Sequence, residues 1–576
     1  MDVGAHGRAH REAAARNRFV RNEQGKGGDE TPRRSRRQRT LRSAGGVALL
    51  LVAAFLPAVP TVLRIQTVLA DTPSFGDLAT EEMATLEAAH GERRLGQWSR
   101  YDFFQPGPAL FYLLAPAYAA SGFRASGLSV GCFLLNWLCI VALVSLSSLW
   151  LERWSGLLML PMLVAVLGYL RTGEAHFFFN WWNTFMIVLP FAVLMFLAAG
   201  VSSGRAHILP WLVGVASLIV QTQTAALPTV FAVTAVSLVL LLRERRVKGR
   251  GGRSALLGPV LASGAVLTIF WFLPCLDEIH RIPGNGRKML AFFLQPHVLQ
   301  TPLVTLRSVA QSLAAPFAHV MFGVGWQDDF RMFPLRVAAA LAVLQVLGLL
   351  VARVSARKRG ARFSARLCEL GLVAIGAALW SIAQIQGPIE RYLLLWIALL
   401  GTVNWVAVGS ELGHAAVRRA SAGEGRVHRP LWPLASVLSA GLLLILIAPE
   451  PRRLGQPGTI PLREAVRAFL RDRPGPVRLE ARGFTWPWAT AIAPALYQDG
   501  RRPCFDSGLW ITDWWTCRDP ATTLRFTPES TPAKADSQRV ACQTIVPEWE
   551  GISTVCVDFV PSGRAGAPLA PPILSP

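Results

Sequence analysis

The chain reads as a polytopic α-helical membrane protein of about eleven transmembrane helices, with juxtamembrane helices on its outer face and a small C-terminal extracytoplasmic α/β domain. Three observations predict this class. Mean hydropathy is +0.37 and 52% of residues are hydrophobic, in repeated runs of a length that crosses a hydrocarbon layer. The formal charge of +22 would suggest nucleic acid in a soluble chain, but here the basic residues fall in clusters between the apolar runs and read as topology signals. Four of the eight cysteines lie beyond the last run, a usage that fits an exported domain.

Residues 1–43 are polar, basic and short of large apolar residues, which predicts a disordered cytoplasmic tail. The transmembrane domain is expected over 44–448, with spans at 44–64, 127–150, 155–171, 183–200, 208–222, 225–242, 255–274, 335–353, 367–385, 391–409 and 431–448. The run 44–64 is long for a signal-peptide core and lacks a small-residue cleavage site, so it reads as an anchor. Eleven spans place RERRVKGRGGR, ARVSARKRGARFSAR and VRRASAGEGRVHR on the cytoplasmic side with the tail. GPALFYLLAPAYAASG would invert that parity if it crossed. It is short and interrupted by Pro108 and Pro116, so it is assigned to the outer surface as an interfacial or re-entrant segment within a first outer loop, 65–126. Over 208–242, a pair of short spans and one hairpin-like element have the same signature.

From 449 to 576 the composition shifts to Pro, Arg, Trp and Cys, and a separate α/β domain is expected. PLREAVRAFLRD reads as a helix, VRLEARG as a strand and WPWATAIAPALYQ as a helix, while RVACQTIV and ISTVCVDFV form a hairpin across PEWEG. Its four cysteines admit three connectivities, of which the local pairing Cys504–Cys517 with Cys542–Cys556 is preferred. Zinc is disfavoured by the lack of a CxxC spacing or a nearby His.

The chain has no Walker loop and no dinucleotide fingerprint, and an outer-face enzyme has no nucleotide pool to draw on. A transferase there needs a donor activated within the membrane, such as a polyprenyl-phosphate sugar. The protein must then remove a proton from an acceptor hydroxyl, a task for a carboxylate. It must also steady the leaving phosphate, a task for Arg, Lys or a cation.

An acid before a short helix in the first outer loop, followed by QPGPALFYLLAPAY, resembles the GT-C superfamily of integral membrane glycosyltransferases, of the mannosyl, aminoarabinose and arabinofuranosyl transferase type. HFFFNWWNTFMIVLP and IERYLLLW are similar to later positions of that superfamily, and the resemblance covers most of 44–448. It implies inverting transfer of a hexosyl or pentosyl unit from a polyprenyl-phosphate sugar to an envelope glycan, lipid or protein. The first-loop acid would be the base, and a second-loop acid would assist at the phosphate or at a divalent cation, Mg or Mn.

Asp77 matches the first-loop acid, although the same residue is also a helix N-cap signature, and the two roles can coexist. Glu81 and Glu82, one turn on, read as the solvated face of that helix. Glu174 matches the second acid and, with Asp77, the metal position. His176 beside it is a candidate ligand or a packed interfacial residue. In NWWN, Asn180, Trp181, Trp182 and Asn183 can line a sugar site by stacking and amide hydrogen bonds, or the tryptophans can form an interfacial belt. Tyr101 of SRYDFF is placed with the substrate-binding residues. Arg391 is the first choice for the leaving phosphate, its alternative being snorkelling or pairing with Glu390. Arg281, Arg287 and Lys288 form a second basic cluster, and Asp328 and Asp329 lie on the same outer loop.

Two rival classes remain at this level: a transporter or flippase of a lipid-linked saccharide, and a non-catalytic envelope assembly protein. The first is weakened by the scarcity of ionisable residues in the spans and the absence of an internal repeat. Gln221, Gln223, Gln384 and Gln386 are the polar exceptions there, best explained by interhelical hydrogen bonds. The expected setting is the inner (cytoplasmic) membrane, multi-pass, with the N-terminus cytoplasmic, the C-terminal domain outside, and no nucleic-acid partner.

Overall fold

A computed structural model of the chain describes residues 74–151, 155–170, 177–248, 254–327, 333–423, 459–505, 512–517, 522–529, 537–549 and 552–560, together with Phe55 and Val59. The predicted spans 44–64 (those two residues apart) and 431–448 therefore lie outside the described residues, as does the tail 1–43.

The described chain opens with α1 (Asp77–Ala89), a short hairpin of β1 (Trp98–Ser99) and β2 (Phe103–Phe104), and α2 (Ala109–Ala120). The helical body follows: α3 (Ala125–Trp150), α4 (Ser155–Leu170), the single turn α5 (Asn183–Met186), α6 (Val188–Ser202), α7 (Leu209–Thr222), α8 (Leu227–Lys248) and α9 (Ser254–His280). Then come α10 (Asn285–Leu294), α11 (Pro302–Leu313), α12 (Ala315–Phe322), α13 (Leu335–Lys358), α14 (Arg362–Ala383) and α15 (Leu395–Gly423).

Among the described residues, seven helical stretches are long and apolar enough to cross a membrane: Ala125–Trp150, Asn183–Ser202, Thr224–Arg246, Leu256–His280, Leu335–Lys358, Arg362–Ala383 and Arg391–Arg419. Each coincides with a predicted span. The spans predicted at 155–171 and 208–222 appear as shorter apolar helices, α4 and α7. Over 208–242 the chain forms two helices, α7 and α8, joined by a 3₁₀ turn at Thr224–Ala226. The twelve residues of α2 rise only about 18 Å, too short for the hydrocarbon core. That helix packs on α1 and α3.

Every residue of α6 is buried, because it is apolar on all sides and is surrounded by α3, α7, α8, α14 and α15. By contrast, α9 and α13 turn Leu261, Ile269, Phe272, Leu347 and Val351 outward, an apolar surface whose natural solvent is lipid. Gly401 lets α15 approach α11 so closely that a Cβ there would meet the Leu313 carbonyl. Buried amides tie the helices together: Asn404 donates to Gln345 Oε1 at 3.1 Å, and Gln345 donates to the Gly401 carbonyl at 3.1 Å.

The loops sort to two ends. At one end the basic segments meet: Arg362 pairs with Glu244 at 3.0 Å, Arg353 with Glu369 at 2.9 Å and Arg359 with Glu411 at 2.6 Å. The arginines that the sequence reading takes as topology signals are thus also partly neutralised. At the other end Phe104 exchanges two 2.8 Å hydrogen bonds with Asn285, Thr224 N–H donates to Gln105 at 2.8 Å, and Tyr101 donates to the Gln386 carbonyl at 2.8 Å. These are the segments that the parity argument groups as outer.

The C-terminal module contains α16 (Thr459–Leu470), β3 (Val477–Ala481), α17 (Trp486–Gln498), β4 (Pro503–Cys504), β5 (Thr522–Pro528), β6 (Gln538–Trp549) and β7 (Ile552–Val560). Its five strands run in the order β4-β3-β5-β7-β6, parallel around β3 and antiparallel from β5 outward. The predicted hairpin is β6–β7, and β4 and β5 are strands that the sequence reading did not include. Both local disulfides are present, Cys504–Cys517 and Cys542–Cys556, the latter joining directly opposed residues of β6 and β7.

The small C-terminal domain also packs against the first loop. The module has its own sheet, but α17 lies directly on α1 of the first loop. Phe75 meets Trp488 edge to face at 5.0 Å, His90 hydrogen-bonds Tyr497 at 2.7 Å, and Thr512 donates to Glu87 at 2.8 Å.

Candidate functional site

The first-loop helix α1 is covered nearly all round: Ala79 through Ala88 are all buried. The reading of Glu81 and Glu82 as a solvated face is therefore wrong, and Glu87 is buried with them. Local sequence suggested solvent because the helix is rich in carboxylates. Tertiary partners supply what water would have. Glu82 accepts from Tyr118 Oη at 2.8 Å and from the Ser74 hydroxyl. Glu87 pairs with Arg93 at 3.2 Å. Arg93 in turn donates to the Leu95 carbonyl at 2.7 Å and lies over the Phe104 and Phe111 rings. Burial pushes the Glu87 carboxyl up, and Arg93 acts against that.

Asp77 differs from these. It is the first residue of α1, preceded at the N-cap by Gly76 in the left-handed region (φ 59°), and no side chain caps the helix. The amides of Ala79 and Thr80 bond instead to the Gly76 carbonyl. The capping role is thus not the one Asp77 plays, and its carboxylate is free of the backbone amides that would depress its basicity. The side chain is exposed, while the surrounding protein raises its carboxyl above the usual aspartate value. A hydrogen bond from the Trp182 indole works in the opposite direction.

The NWWN motif is locked to this helix. Trp181 Nε1 donates to the Leu78 carbonyl at 2.9 Å, Asn183 N–H donates to Glu81 Oε1 at 2.9 Å, and Asn180 Oδ1 accepts Trp182 N–H at 2.9 Å. Trp181 is buried, so the interfacial-belt reading fails for it. Asn183 uses its side-chain amide on the Thr222 carbonyl at 3.0 Å and stands as a fold residue. Glu81 lies one turn beyond Asp77 with Oε2 buried and unbonded. Its carboxyl is raised well above the ordinary value by burial, with Asp77 contributing in the same direction and the Asn183 amide and Arg93 acting against it.

Around Asp77 and Trp182 the structure gathers residues distant in sequence. The Trp182 ring lies 5.1 Å from Tyr392 and 6.2 Å from Trp326. Arg391 donates to the Trp326 carbonyl at 3.2 Å. Tyr392 is within electrostatic reach of Arg100, Glu390, Asp77 and Tyr101. Arg100 donates to Tyr101 Oη at 2.8 Å and to the Pro388 carbonyl at 3.1 Å. Of the predicted residues, Asp77, Trp182, Tyr101 and Arg391 therefore converge. Arg287 and Lys288 sit on exposed positions of α10, and Arg287 pairs with Glu278 at 3.3 Å. Their helix reaches the cluster only through Phe292, 4.8 Å from Tyr101. Arg281 pairs with Asp277 at 3.2 Å within α9.

Glu174, His176, Asp328 and Asp329 lie outside the described residues. Among the described residues no group of three or more His, Cys, Asp or Glu side chains is gathered to hold a metal ion. Asp77 and Glu81 alone are two carboxylates, fewer ligands than a divalent cation takes. Sequence reasoning missed Arg100, Trp326 and Tyr392. Arg100 and Tyr392 adjoin residues it selected, in SRYDFF and ERYLLLW, but a lone Trp in GWQDDF has no local signal at all.

No protein-family model matches the chain, and no curated protein matches it significantly.

Proposed function

We propose that the protein is an inverting glycosyltransferase of GT-C type that moves a sugar from a polyprenyl-phosphate donor to an envelope glycan, lipid or protein acceptor. It would work at the outer face of the cytoplasmic membrane, in an eleven-span topology with the N-terminus inside and the C-terminal module outside. The observation that carries this reading is Asp77: an exposed carboxylate excused from helix capping, raised in basicity by its surroundings and oriented by Trp182.

In this reaction Asp77 takes the proton of the acceptor hydroxyl as that oxygen attacks the anomeric carbon from the face opposite the phosphate. The bond from the anomeric carbon to the phosphate oxygen breaks, and its electron pair leaves with the phosphate. Arg100 and Arg391, at the rim of the cluster, offset the charge developed on that leaving group. Trp182, Trp326, Tyr392 and Tyr101 provide ring faces on which a sugar can stack. Glu174, by the GT-C resemblance, would assist at the phosphate or hold a Mg or Mn ion.

The buried glutamines give no support to a transport path. Gln221 donates to the Phe270 carbonyl at 2.6 Å, and its Oε1 accepts Ala109 N–H at 3.3 Å. The test is transfer from a panel of polyprenyl-phosphate sugars into an envelope acceptor extract, comparing wild type with Asp77→Asn. Loss of transfer by at least about a hundredfold, the scale of general-base catalysis, is expected with folding intact. Equal transfer by the folded variant removes Asp77 as the base.

A further inference from the structure

A second site lies at the other end of α1. His90, the C-cap, lies thirteen positions after Asp77, at the far end of the helix. At a rise of about 1.5 Å per residue this is on the order of 20 Å. There, first-loop residues Gly122 and Phe123 face the C-terminal module across a cleft of about 580 Å³. That volume is within the range of roughly 300–1,000 Å³ typical of small-molecule sites.

Its walls are aromatic. Phe123 and Tyr497 meet edge to face at 5.7 Å, Tyr497 and Trp514 lie 6.0 Å apart, and Trp514 packs on Trp515 at 4.6 Å. Tyr497 and Trp514 remain only half-buried, so their rings stay partly accessible. Phe123 adopts φ 60°, a left-handed conformation rare for a bulky residue. It is held there by its N–H, which donates to the Tyr118 carbonyl at 3.0 Å, and by Gln498 Nε2, which donates to the Phe123 carbonyl at 2.5 Å. The strained residue therefore joins the loop to the module where the cleft opens.

The charge of the cleft has one sign. Arg501 and Arg502 line it, and no carboxylate does among the described residues. Arg501 is occupied with the Leu470 and Arg473 carbonyls. The Arg502 side chain is exposed and makes no hydrogen bond or ion pair among the described residues, although it lies on a structured strand entry.

From these observations we infer that the cleft between Phe123 and the C-terminal module is a binding site for an acidic saccharide, with a sugar ring stacked on Trp514 or Tyr497 and its carboxylate met by Arg502. Aromatic faces accept the apolar face of a pyranose, and an unengaged guanidinium matches a carboxylate through two parallel hydrogen bonds. The inference is independent of the transferase reading, since no cleft residue belongs to the Asp77 cluster.

The test uses the purified full chain in detergent, titrated calorimetrically with a disaccharide of galacturonic acid and with lactose as the neutral control. Wild type is expected to bind the acidic sugar at least fivefold more tightly. Arg502→Gln should abolish that preference. Trp514→Ala should weaken both sugars at least tenfold, and Asp77→Asn should bind as wild type does. Failure of the folded wild type to bind either sugar, or wild-type binding by both cleft variants, overturns the site. Because Arg502 is exposed, its variant stays interpretable even if Trp514→Ala disturbs packing.

Discussion

Asp77 and Trp182 form the smallest unit on which the proposed chemistry rests. Desolvation by the surrounding protein raises the Asp77 carboxyl, and the Trp182 hydrogen bond lowers it. A base must be ionised, so the acid limb of kcat/KM should lie above the ordinary aspartate value of about 3.9. Removing the bond in Trp182→Phe takes away the lowering influence, and the limb should move to still higher pH. A pH–rate profile of the transfer reaction checks this, and a downward shift would contradict the assignment. The site was half legible at this scale. Asp77, Trp182, Tyr101 and Arg391 stand in conspicuous local contexts, next to a helix start, in an aromatic run or at a span entry. Whether Asp77 caps its helix was not legible, because Gly76 and Asp77 compete for one turn and the backbone angle of Gly76 decided it.

At the scale of elements, α1 is an amphiphile that the fold has buried. Its three inner glutamates survive there because each has a dedicated partner, and Arg93 is the most consequential of these. Arg93→Ala should leave Glu87 unpaired in a buried position and cost roughly 3–5 kcal/mol, read as a lowered thermal midpoint of the purified protein. Adding Glu87→Gln to that variant should recover part of the loss, since the remaining group is neutral. An unchanged midpoint in Arg93→Ala would show that the pair contributes little. The carboxylate-rich pattern of LATEEMATLEA pointed to water because a single helix cannot report what other segments bring to it. Tyr118, Arg93 and Asn183 arrive from later in the chain, and Thr512 from more than 400 residues away.

At the scale of the whole molecule, the C-terminal module braces the first loop, and the Cys504–Cys517 bridge closes the segment that carries Thr512 and Trp514. Replacing both cysteines by serine should destabilise the module by about 2–4 kcal/mol. It should also make the peptide bonds of residues 512–517 more sensitive to limited proteolysis while leaving the helical body intact. Protection equal to wild type would mean that the segment is held by its packing on α1 alone.

The sequence by itself determined the helical membrane class, the positions of the seven long apolar helices, the short α2, and the helices and hairpin of the C-terminal module, and it favoured the disulfide pairing that the structure shows. Those features rest on local hydropathy, on short-range periodicity and on chain proximity, which a single stretch of residues carries within itself. The tertiary structure alone decided that the acid helix is buried, that the module is docked on it, and that Arg100, Trp326 and Tyr392 share one end of the body with Asp77. The physical reason is that burial and convergence are properties of pairs of distant segments. No local composition encodes them, and in this protein the opening acidic and aromatic loop takes its meaning from residues that follow it by a hundred to four hundred positions.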